Sequence, residues 1–135
     1  MPIALEIVSP DRLLLSQPVD MVVVPAAEGE MGVLPGHAPM IVLLRGGTIT
    51  LHEGGRATSR LYVSGGFAEV TPERCTVLAD EAVPTAEVSR AQAQARLQEA
   101  EADYSAADKN DVAALDAAMN RMQAARAMVE AAEAP

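Results

Sequence analysis

The chain has 135 residues, half of them hydrophobic, with one Phe, two Tyr and no Trp. That length allows one compact domain plus an appendage, with a core of Val, Leu, Ile, Met and Ala. A formal net charge of −9 argues against nucleic acid or an anionic membrane as direct partner, because both recruit basic patches. The single Cys75 excludes an internal disulfide, and no apolar run is long enough for a bilayer-spanning helix.

From residue 3 to about 83 the sequence is written in strands. "IALEIV" is a short apolar run, and "LLLSQPVDMVVVPA" is β-rich, with Pro18 at a bend or edge. The next stretch, "GEMGVLPGHAPM" (29–40), is punctuated by Gly29, Gly32, Gly36, Pro35 and Pro39 yet carries Met31, Val33, Leu34 and Met40. It reads as a stiffened loop, with Gly29 and Gly32 free to take positive φ and the prolines fixing theirs. Stiffening lowers the entropy cost of docking. Glu28, Glu30 and Met31 fall on its exposed tip, and His37 is placed to donate to a neighbouring carbonyl and lock the turn. The segment is thus a docking edge, apolar at the centre and acidic at the rim.

"MIVLL" follows, then a strand, the Gly54-Gly55 turn, a second strand, a Gly65-Gly66 kink and a further strand. Alternation puts Ile49 and Leu51 on one face, with Thr48, Thr50 and His52 opposite. In "RCTVLAD", Cys75, Val77 and Ala79 share one face. Many short strands without an intervening crossover helix predict a β-sandwich or flattened barrel rather than a parallel βαβ sheet.

At Pro84-Thr85 the period changes. Roughly a third of the later residues are Ala, the best helix former. Thr85 is the N-cap candidate and Glu87 sits in the first turn. One helix runs to about Ser105, and Asp108, Asn110 and Asp111 make a turn and cap. A second helix runs from about Asp111 to Glu130. The apolar stripes are Ala93, Leu97, Ala100 and Tyr104 on the first helix, and Val112, Leu115, Met119, Met122 and Val129 on the second. They predict an antiparallel helical hairpin with an Ala-rich, weakly held seam. The expected organisation is a sandwich over 1–84 and a hairpin over 85–135.

No enzyme site is visible. His37 and His52 lack further ligands at zinc spacing, Cys75 reads as a core thiol, and the Gly pairs are turns without the Lys-Ser/Thr of a phosphate loop. Against a binding module two other classes stand: a freestanding ligand- or nucleotide-binding sandwich with a helical lid, and a hydrolase using His37 or Cys75.

Four linked motifs, "EGEMGVLPGHAPM" (28–40), "LRGGTI" (44–49), "VSGGFAEV" (63–70) and "TVLADEA" (76–82), together resemble the ε subunit of F-type ATP synthases across the sandwich, and the Ala-rich hairpin is similar too. The resemblance implies a ten-stranded β-sandwich followed by two helices. It also implies a non-catalytic rotor subunit of a proton-translocating synthase, joining the γ subunit to the ring of c subunits. The place implied is peripheral, on the cytoplasmic face of a bacterial inner membrane. Glu28, Glu30 and Met31 would be ring contacts, with His37 shaping the turn, and one face of the sandwich would meet γ. The hairpin would fold against the sandwich or extend toward the α and β catalytic subunits and restrain ATP hydrolysis. Some family members bind ATP as a regulatory ligand through a Leu/Ile-Asp-x-x-Arg-Ala pattern. Here that pattern reads Ala86-Glu87-Val88-Ser89-Arg90-Ala91, so Glu87, Arg90 and Ala91 are the residues carried over, with the large apolar residue missing and the acid lengthened. Only Arg121 and Arg126 make the second helix basic, which implies weak inhibition.

Overall fold

The computed structural model describes residues 2–133; residues 134–135, assigned above to the hairpin unit, lie outside the described residues. Ten strands are followed by two helices. The strands are β1 (Ile3–Val8), β2 (Leu13–Val19), β3 (Met21–Ala26), β4 (Gly29–Val33), β5 (Met40–Leu44), β6 (Gly47–Glu53), β7 (Arg56–Val63), β8 (Gly66–Val70), β9 (Arg74–Ala79) and β10 (Ala82–Pro84). They form one continuous path, β10-β7-β6-β3-β5-β8-β9-β1-β2, with β4 paired to β3 alone. The path folds over at the β3–β5 corner, where only Ala26 and Leu44 pair. The result is a sandwich closed like a flattened barrel, as the sequence predicted.

Most strands alternate in burial; β7 ends in three buried residues, Leu61, Tyr62 and Val63, because the hairpin covers Tyr62 on the outer face. Ile3, Leu5, Ile7, Val22, Val24, Ile49, Leu51, Cys75 and Val77 are buried in one shared core. Pro18 lies on β2, at the end of the strand path, so its missing N–H disturbs no inner ladder. One pair is parallel: β1 lies beside β9. This is not a βαβ unit, because β2 to β8 intervene and no helix crosses.

Two local expectations are corrected. Gly29–Val33 is a strand on β3, not a loop, because Met31 and Val33 face the core side while Glu30 stays out. Gly32 accordingly has no positive φ, whereas Gly29 and Gly36 do. Thr85 does not cap a helix: it is buried in a 3-10 turn, Thr85–Glu87, and its hydroxyl donates to the Arg60 carbonyl at 3.4 Å. The cap is Ser89, whose hydroxyl accepts from Gln92 N–H at 3.2 Å, so α1 runs over Arg90–Ala106.

Asp111 caps α2 (Val112–Glu133) by accepting from Ala114 N–H at 3.1 Å. The α1 stripe is as read, with Ala93 and Ala100 buried. The α2 stripe is partly as read: Leu115, Met122 and Val129 are half-buried, whereas Val112 and Met119 are exposed. The most buried positions are Ala118, Ala125, Met128, Ala131 and Ala132. Where α2 meets both α1 and the sandwich, mostly small side chains fit between them.

Candidate functional site

Three surfaces stand out: a groove beside β4, a bare face of the sandwich, and the seat of the hairpin.

The groove, of about 490 Å³, lies between the β3–β4 hairpin and β5, and its lining includes Glu28, Glu30, Met31, Met40, Ile41 and Leu43. Glu28 and Glu30 are exposed at its rim, while Met31 is half-buried and packs on the core. The structure therefore brings three of the four sequence-predicted docking residues together. His37 is outside this lining. Its Nδ1–H donates to the Ala38 carbonyl at 2.8 Å, and Gly36 N–H donates to the Pro72 carbonyl at 2.8 Å. The Pro-Gly-His-Ala-Pro turn is thereby pinned to the β8–β9 turn, which holds the approach to the groove in place.

The bare face was missed in the sequence reading. Pairing registers place Leu43 opposite Phe67, Phe67 opposite Leu78, Leu78 opposite Val8, and Val8 opposite Leu13. This is an apolar row across five strands, about 19 Å long at the usual strand spacing. Leu43 is 67% exposed, Leu13 54% and Phe67 42%, with Ile41 beside them at 71%. Monomeric surfaces rarely leave such a contiguous row uncovered. Each strand alone shows only an ordinary alternation with apolar residues on both faces. Only the register reveals the row.

The hairpin seats on the opposite side, against β6 and β7. Tyr62 is buried there with Ala93, Met128 and Ala131, and its hydroxyl donates to the Ala124 carbonyl at 3.0 Å. Burial, with Glu81 adding to it and Arg96 opposing, pushes this phenol up to about 12, so it remains a donor at neutral pH. Gln123 Nε2 donates to the Gly46 carbonyl at 2.8 Å. Arg96 reaches back from α1 and grips Glu81 through both terminal nitrogens, at 2.7 and 3.0 Å. That hydrogen bonding holds the guanidinium above its usual range. The pair is solvent-exposed and contributes no more than about 1 kcal/mol. A cleft of about 440 Å³ remains between hairpin and sandwich, lined by residues that include Asp80, Arg96, Glu99, Asp103 and Arg121. Glu87, Arg90 and Ala91 are exposed and are not among its lining.

Among the described residues, no group of three His, Cys, Asp or Glu converges to hold a metal, and no helix is long and apolar enough to cross a membrane. Cys75 is fully buried, and burial pushes its thiol up to about 11. The nucleophile is the thiolate, so alkylation by iodoacetamide at pH 8 is expected to be negligible in the folded chain and rapid in urea. Prompt labelling of the native protein would show that the thiol is reachable.

A family model described as "ATP synthase, Delta/Epsilon chain, beta-sandwich domain" matches residues 2–85. The ATP synthase epsilon chain of Granulibacter bethesdensis is 70% identical over 129 residues, covering 96% of each chain. That of Gluconacetobacter diazotrophicus is 51% identical, covering 100% of this chain and 96% of the relative. A chain in the Euglena gracilis mitochondrial ATP synthase (OSCP/F1/c-ring) superposes with a TM-score of 0.77 at 28% identity, covering 96% of this chain and 81% of its own. A chain of the Tetrahymena thermophila central stalk and c-ring shares the fold, with a TM-score of 0.64 at 13% identity, covering 98% and 97%. The chain belongs to the ATP synthase epsilon-chain family, whose members are subunits of that membrane-associated complex and not its catalytic chains.

Proposed function

We propose that the chain is a central-stalk subunit that fastens the γ subunit to the c-ring and restrains ATP hydrolysis through its hairpin, on the cytoplasmic face of a bacterial inner membrane. The observation that carries this reading is the division of surfaces. The sandwich presents two unfilled attachment surfaces that adjoin at Ile41 and Leu43, and another side is covered by the α1–α2 hairpin, seated through few polar contacts.

The groove with Glu28, Glu30 and Met31 is assigned to the ring. Its apolar floor and acidic rim suit polar loops that carry basic residues. The apolar row Leu43–Phe67–Leu78–Val8–Leu13 is assigned to γ, because its length and exposure fit a broad protein contact. The hairpin is folded against the sandwich, and lifting it would expose Met128, Ala131 and Ala132 to the α and β catalytic subunits.

Deleting residues 86–135 in the assembled synthase tests the regulatory half. ATP hydrolysis is expected to rise while coupled synthesis persists. The rise is expected to be modest, since Arg121 and Arg126 are the only basic residues of α2. Unchanged hydrolysis would remove the regulatory role and leave the attachment role standing.

A further inference from the structure

We infer that the hairpin of this chain is insensitive to nucleotide: the cleft beneath it rejects ATP, so its seating is governed by protein contacts alone. This deepens the proposed regulation and rests on that reading for its consequence in the complex. The rejection itself is a property of the isolated chain.

The argument is one of charge and geometry. A nucleoside triphosphate, even as its magnesium complex, is an anion that needs converging cations or backbone N–H groups. Asp80, Glu99 and Asp103 line the cleft against Arg96 and Arg121. Arg96 is committed, with Nη1 and Nη2 both donating to Glu81. Arg121 is then the one uncommitted cation of the lining, facing three carboxylates. A single guanidinium does not offset three carboxylates toward a polyanion.

The start of α1 offers no alternative seat. Glu87 ends the 3-10 turn, Val88 and Ser89 are extended, and α1 begins at Arg90. The helical spacing that would put Glu87 and Arg90 on one face is therefore broken between them. Of the first N–H groups of α1, that of Gln92 is already engaged by Ser89 Oγ. Glu87, Arg90 and Ala91 all face solvent, where nothing encloses a base or ribose.

The test is isothermal titration of the full chain with MgATP, alongside the triple variant Asp80→Asn/Glu99→Gln/Asp103→Asn. Circular dichroism of each confirms that the helices are intact. The wild-type chain is expected to give no saturable heat into the millimolar range. The triple variant, with the repulsion removed and Arg121 unopposed, is expected to give a saturable isotherm in that range. A saturable wild-type isotherm overturns the inference, and so does a folded triple variant that likewise gives none. Failure of the proposed regulatory role would appear separately, as unchanged hydrolysis after deletion of 86–135, whatever the titration gives.

Discussion

Gly46→Ala is expected to unseat the hairpin while leaving the sandwich folded. A Cβ at Gly46 would lie 2.5 Å from Ala124 Cα and 2.7 Å from Ala124 Cβ. Both obstacles are rigid parts of α2, so the helix must move away as a body. Gly46 has no positive φ, so Ala fits its backbone, and the added methyl would otherwise stabilise slightly by restricting the unfolded chain. The clash is thus isolated from backbone strain. Overpacking of this kind costs about 1–3 kcal/mol. The displacement also strains the bonds from Gln123 to Gly46 and from Tyr62 to Ala124. Hydrogen exchange is expected to accelerate over α1 and α2 with the β-sheet amides unchanged. Hydrolysis by the assembled enzyme is expected to fall, opposite in sign to the deletion. Gly32→Ala is the control: its φ is ordinary and its Cβ would meet only the Met21 sulfur, at 3.5 Å. Helix amides as protected in Gly46→Ala as in the wild type would show that the close approach does not hold the hairpin.

The second large effect is expected at the bare face. Leu43→Glu combined with Phe67→Lys sets an oppositely charged pair at directly opposed positions of the apolar row, which the sheet tolerates. Both side chains are exposed, and surface substitutions of this kind change stability by about 0.5 kcal/mol or less. In a buried contact, loss of a large apolar anchor costs about 2 kcal/mol or more. Affinity for purified γ subunit is therefore expected to fall at least about a hundredfold, with the melting temperature held. Glu30→Lys, on the groove instead of the row, is expected to leave γ binding intact and to weaken attachment to the ring. Undiminished γ affinity in the double variant would move the shaft contact elsewhere.

How far the sequence disclosed these surfaces follows from the range of the interactions. Strand faces in β6 and β9 were legible because alternation is local: Ile49, Leu51, Cys75 and Val77 are buried as read. That Glu28, Glu30 and Met31 lie together beside a groove was legible because glycine and proline mark backbone geometry directly, although the same glycines hid β4. A Gly-rich edge strand carries little β-propensity of its own, and β4 exists because β3 pairs with it along five residues. The α2 stripe was half legible: Leu115, Met122 and Val129 are half-buried as read, but the reading favoured large side chains and passed over the Ala positions between them. Where two helices and a sheet approach closely, small side chains pack most easily, and Met119 is left outside. The apolar row and the keyed contact of Gly46 with Ala124 were not legible at all. Both join residues tens of positions apart, and no periodicity records such a meeting.

The placement of β1 between β2 and β9 has a kinetic consequence. Its antiparallel partner β2 follows at once, but its parallel partner Arg74–Leu78 is about seventy residues downstream. At the usual pace of synthesis, that interval lasts roughly 4–14 s. Throughout it the nascent chain holds β1 and β2 as a two-stranded ribbon with one edge unpaired and Leu5 and Ile7 uncovered. Two such strands are marginal in water, so β1 is secured only once β9 has been made. The emerging subunit therefore passes through a stage in which self-association competes with closure of the sandwich.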